Sequence, residues 1–327
     1  MPEPGNQANM ITVNVRESDM SVTAQASSQD QKREIMDFVS DYSIEILPRD
    51  RALVATMPAF LSPGTSVSIG NPPSATISQV IEVAADIRRA GFNPVPHLLA
   101  REIPSKGHLQ QTLEDLREAG VEQLLLIAGD KHSPSGPFNS TMELLETGLF
   151  EQYDFNKIGV AGHPEGSPYA GPNLLGKALS IKNNYAERSG TEMYILTQIS
   201  FDAAHIINWS KIIADAGNRL PIHIGMAGPT RLRTLLHYGA KCGIGPSLRT
   251  LMKKATALAN LITISTPDEL IRSLTEYRRL KPGCPIVKVH FFSFAGFEKT
   301  ALWANAVAGG QFRITSDGKG FEVDTPA

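Results

Sequence analysis

Glu45 stands between Ile44 and Ile46, a carboxylate inside a short apolar run. In apolar surroundings a carboxyl group keeps its proton to higher pH, which makes it a proton donor near neutrality. Pairing with a neighbouring lysine or arginine is the competing reading of the same residue. Asp130 follows Gly129, where the missing side chain would let a ligand approach the backbone, although the same pair also suits a turn. Gln198 ends the run Ile195-Leu-Thr-Gln198, and its amide can donate and accept at the edge of a heterocycle or cap the helix that follows. Lys182 could neutralise a phosphate, but its spacing favours a solvated surface charge. His97, His163 and His290 lie in separate runs without HxH or HxxxH spacing, so core or rim imidazoles are favoured over a metal cluster.

These residues share a position in a repeating pattern. Ile158-Gly-Val-Ala-Gly-His-Pro-Glu-Gly166 passes abruptly from a buried strand to an exposed end carrying His163 and Glu165. Similar ends occur at Val95-Pro-His97, Leu126-Ile-Ala-Gly-Asp130, Ile224-Gly-Met-Ala-Gly228 and Val289-His290-Phe-Phe-Ser293, each followed by a helical segment. Residues 49–60 read as a helix rather than a second strand, because a parallel neighbour needs a longer crossover. Ser74 is the expected cap of the next helix, and the helix after strand five is expected to follow Pro172. Two extra helices are expected before strand eight, one over residues 246–259 and one capped by Thr266 with Pro267 at its first position. Eight strand and helix units predict an α/β fold of the TIM (β/α)8 barrel type, with polar groups converging at the C-terminal ends of the strands. The open doubly wound sheet is the alternative, but no GxGxxG follows the first strand. Residues 1–27 read as a flexible arm. Residues 28–327 read as one domain, opened by a Ser28/Gln31 capping box and closed by a hairpin in 311–324.

The bulk numbers exclude several classes. Thirty-one basic and 33 acidic residues leave a net charge of −2, without a dense basic block to suit nucleic acid or a membrane surface. Cys242 and Cys284 lack ligand-like spacing and read as ordinary thiols. No apolar run is long enough to span a bilayer, and the N-terminus lacks a secretory pattern, so a cytoplasmic protein is expected. Walker, GxSxG and reactive-cysteine signatures are missing as well.

Taken in order, Ser43-Ile-Glu-Ile-Leu-Pro48, Val95-Pro-His-Leu98, Leu125-Leu-Ile-Ala-Gly-Asp130, Val160-Ala-Gly-His-Pro-Glu-Gly166, Leu196-Thr-Gln198 and Phe201-Asp202 resemble the methylenetetrahydrofolate reductase family over about residues 43–310. The resemblance implies a barrel that binds FAD and passes hydride from NADH or NADPH to methylenetetrahydrofolate. It implies Glu45 as the general acid and His97, Gly129, Asp130, His163, Glu165 and Lys182 as cofactor contacts, with Lys182 near the diphosphate. Asp130 and Gln198 become substrate contacts. The pattern departs at Ala128 and Gly296, where arginines are usual, at His163 in place of tyrosine, and at Ser167 in place of histidine. The rival expectation is a folate-binding barrel that serves methyl transfer without redox chemistry. NADH against NADPH, the direction of the reaction and assembly into a homo-oligomer are left open.

Overall fold

The computed structural model describes residues 17–241, Met252 and residues 264–324. Eight parallel strands form a closed barrel: β1 (Ser43–Ile46), β2 (Ser66–Ile69), β3 (Asn93–Leu99), β4 (Gln123–Ile127), β5 (Lys157–Gly162), β6 (Glu192–Thr197), β7 (Ile222–Ala227) and β8 (Ile286–Phe292). Each pairs with its neighbour in sequence, and β1 closes on β8 with Glu45 opposite Phe292.

The alternation of side chains along a strand divides the barrel into two environments. Ile44, Ile46, Val67, Ile69, Leu126, Ile158, Val160, Ile224 and Phe291 face the helices in one continuous core. The inward set is smaller and more polar. Val95, Leu125, Tyr194 and Leu196 form a separate apolar cluster, next to inward Ser43, Ser68, His97, His223 and His290.

The surrounding helices form where the apolar period and the caps agree. In α2 (Ile77–Arg89), Val80, Val83, Ala84 and Ile87 share one buried face. Its cap is Thr76 rather than the expected Ser74: Thr76 Oγ1 accepts from Gln79 N–H, and Gln79 Oε1 accepts from Thr76 N–H. Ser74 is instead within a turn in which Ala75 N–H bonds Pro72 O. Ser105 caps α3 (Lys106–Glu118), which buries Leu109, Leu113 and Leu116. Each such leucine contributes about 1.5–3 kcal/mol when buried.

Several boundaries differ from expectation. Helix α1 spans Glu17–Ser40, starting before the Ser28 box, because helix propagation does not require a cap at the first suitable residue. Residues 48–59 form a 3-10 helix, and α4 is only Thr141–Leu145. After β7, Thr230–Arg231 pairs antiparallel with Ile264–Ser265, delaying α7 to Leu232–Lys241. The helix expected over 246–259 lies outside the described residues. α8 (Asp268–Leu280) has Pro267 at its cap, and Thr266 Oγ1 bonds the Asp268 carboxylate rather than the helix backbone. α5 (Pro172–Ser189), α6 (Ala203–Asp215) and α9 (Phe297–Ala308) complete the helices used below. The hairpin forms from Phe312–Ile314 and Phe321–Val323, and Phe321 stacks on Trp303 with centroids 5.9 Å apart. Among the described residues, no helix is long and apolar enough to cross a membrane.

Candidate active site

The direction of Glu45 follows from its neighbours. Ile44 and Ile46 face the helical core, so alternation turns Glu45 into the barrel. Its carboxyl passes beside Gly70, just beyond β2, where a side-chain carbon would lie 3.5 Å from Glu45 Cδ and 2.7 Å from Leu47 Cδ2. Gly70 leaves space for the acid, a role hidden in the sequence behind its ordinary place at a strand end. Ser293 Oγ–H donates to Glu45 O at 2.8 Å and ties the end of β8 to β1.

His97 reaches the same point from β3, with Nε2 3.6 Å from Glu45 Oε2. The spacing would suit an ion pair, but burial works against both charges. It raises the Glu45 pKa to about 8 and lowers the His97 pKa to about 4. Between those values the acid is protonated and the imidazole neutral, so the contact is uncharged. Among the described residues no lysine or arginine forms an ion pair with Glu45.

A second group of predicted residues gathers beside β5. His163 and Lys182 line a cavity of about 930 Å³ between the end of β5, α5 and α6, with Tyr169, Leu175, Trp209 and Ile212 also in its wall. Lys182 is only 8% exposed, which corrects the expectation of a solvated surface charge. The inward side of α5 carries it under the loop after β5. Burial lowers its pKa to about 8, and burial together with the Lys182 charge lowers that of His163 to about 4. No carboxylate among the described residues pairs with Lys182. An anion entering this cavity would offset the cost of the buried ammonium.

The remaining candidates occupy the rim. Gly129 has φ +87°, a conformation that strains other residues, and Asp130 beyond it is exposed. Arg101 pins this loop by donating to Gly129 O, Lys131 O and Asn139 O, a role its isolated position in the sequence did not signal. No hydrogen bond or ion pair joins Asp130 to Glu45 or His97. Glu165 accepts from Ser200 Oγ–H at 2.9 Å, joining the loops after β5 and β6. Gln198 lies just past β6 and accepts from Ile199 N–H at 2.9 Å, leaving its amide nitrogen as donor. Asp202, not Gln198, caps α6 by accepting from Ala204 and His205 N–H. His290 is deep in the barrel, and no group of three metal-ligating side chains is found among the described residues.

The profile of the family described as Methylenetetrahydrofolate reductase matches residues 51–244, more than half of the chain. The chain belongs to the methylenetetrahydrofolate reductase family. The match includes His97, Gly129, Asp130, His163, Glu165, Lys182 and Gln198, whereas Glu45 lies before it. Methylenetetrahydrofolate reductase 2 of Saccharomyces cerevisiae (strain ATCC 204508 / S288c) is 25% identical over 187 residues, which are 54% of this chain and 30% of the yeast protein. The chain therefore matches less than a third of that relative. A solved phosphoenolpyruvate phosphomutase from Streptomyces platensis subsp. rosaceus has a TM-score of 0.42 at 13% identity, covering 82% of this chain and 81% of that one. That likeness adds nothing to the barrel already described.

The residues present fit the flavin of the reductase family at its anionic end. Lys182 supplies a buried cation with no carboxylate partner among the described residues, beside a large cavity that could hold a diphosphate. Neither His97 nor Gly129 lines that cavity.

Proposed function

We propose that this protein reduces 5,10-methylenetetrahydrofolate to 5-methyltetrahydrofolate, or catalyses the reverse, with NADH or NADPH as hydride source and FAD as cofactor. The observation that carries the reading is Glu45, a carboxyl held protonated by burial inside the barrel of a methylenetetrahydrofolate reductase family member. Bound FAD would relay hydride between nicotinamide and folate. Lys182 would hold its diphosphate and His97 would lie against its ring system. Glu45 would give its proton to N10 of the folate as the C–N10 bond breaks, leaving an N5 iminium that accepts hydride at carbon. Asp130 and the free amide of Gln198 would orient the pterin edge. The low local dielectric favours this use of Glu45, because a neutral acid is carried there at little cost and is discharged only in the reaction.

The test is the visible absorption of anaerobic, freshly purified protein before and after NADH. A flavin spectrum that bleaches with NADH and returns with methylenetetrahydrofolate supports the proposal. Folate binding by a colourless protein that never oxidises NADH or NADPH would replace it with the non-redox, methyl-transfer reading.

A further inference from the structure

The barrel interior remains polar below Glu45. Its N-terminal end contains a cavity of about 210 Å³ lined by Ser43, Ser66, Ser68, His223, Lys288 and His290, among others. It reaches the surface beside Asp41, whose side chain is 86% exposed. A polar space of this size can hold several waters.

Two buried imidazoles lie between that cavity and the acid. His290 is 1% exposed, and its Nδ1 is 2.8 Å from Ser43 Oγ. Burial, and after it the charges of His97 and Lys288, oppose protonation of His290, and His97 Nε2 lies 3.6 Å from Glu45 Oε2. Both Nε2 atoms are buried without a hydrogen-bond partner. Native proteins rarely leave such atoms unsatisfied, so two in one polar interior call for water or a transferable proton. Other titratable groups face the same space. Lys288 pairs with Asp41 at 2.9 Å, Lys157 with Glu192 at 2.5 Å, and His223 stacks on Tyr194 with centroids 4.1 Å apart.

We propose that this interior is the return path for the Glu45 proton: protons enter at the N-terminal cavity and pass through His290 and His97 to the carboxylate. The proposal rests on the folate reading, because near neutral pH turnover is what leaves Glu45 without its proton. In the forward reaction the Glu45 O–H bond breaks and an N–H bond forms on the folate. The O–H bond is restored as His97 releases a ring proton, while its other ring nitrogen takes one from water or His290. One proton from bulk solvent closes the count at the Ser43 end, and no electrons move. With ligands seated across the mouth, the opposite end supplies the route to solvent.

The experiment compares first-turnover and steady-state folate reduction in full-length His290→Ala. The first turnover should proceed at the normal rate, because Glu45 begins protonated. Steady-state kcat should fall about tenfold with little change in KM, and added imidazole should restore it. Ser43→Ala, a milder change, should lower kcat about threefold and raise the solvent deuterium isotope effect. Unchanged kcat and isotope effect in both variants, or equal slowing of the first and later turnovers, would overturn the relay while leaving the folate reading intact. No folate turnover by the unsubstituted protein would overturn the folate reading and the relay with it.

Discussion

At the scale of single residues, Glu45 and Lys182 carry opposite costs of burial. Glu45→Gln keeps the shape and removes the transferable proton, so folate turnover should fall about 10²–10⁴-fold while circular dichroism stays unchanged. A fully active variant would remove the acid assignment. In the unsubstituted protein, kcat/KM for folate reduction should decline as pH rises through about 8, because the required acid then ionises. Lys182 is a buried ammonium without a carboxylate partner among the described residues, so Lys182→Met should raise the melting temperature of the cofactor-free protein. The same variant should weaken FAD binding about ten- to hundredfold, the loss of one charge-assisted contact. Calorimetry and fluorescence titration of flavin test the two halves separately, and tighter flavin binding would contradict the assignment.

At the scale of elements, small local choices set where each helix begins and therefore what it presents. Thr76→Ala removes one half of a reciprocal cap on α2 and should cost about 1 kcal/mol in urea unfolding. Ser74→Ala should cost far less, because Ser74 belongs to the preceding turn. Equal losses would show that the cap is shared. The strands β4 and β8 were legible to the residue, since Gln123–Ile127 and Ile286–Phe292 are continuous apolar or alternating runs. The antiparallel pair Thr230–Arg231 with Ile264–Ser265 was not legible, because two-residue strands leave no period to read.

At the scale of the whole molecule, the charge states of the buried groups should shape stability against pH. Burial depresses His97, His163, His223 and His290, with folded values of about 4, 4, 2 and 3. The unfolded chain therefore binds more protons below the ordinary histidine pKa of about 6.5, and stability should fall as pH drops from there toward those values. Glu45 works in the other direction: its raised pKa makes stability fall as pH rises from the usual carboxylate range through about 8. Below about pH 8 the urea midpoint should thus be highest near pH 6.5, and above it the lowered pKa of Lys182 should add stability as pH rises toward the ordinary lysine value. A midpoint that climbs steadily toward pH 8 would contradict the protonated state of Glu45. The sequence by itself determined the eight-unit α/β order, the strand ends that carry Glu45, His97, Asp130, His163 and Gln198, and the family resemblance later matched over residues 51–244. These are local or ordered signals, held in apolar periods and short motifs. Tertiary structure alone decided that Glu45 turns toward His97 rather than toward a cation, that Lys182 is buried, and that His290 lies above a second polar cavity. Closure of the barrel brings together strands distant in sequence, and burial, which controls the charge of each group, exists only after that closure.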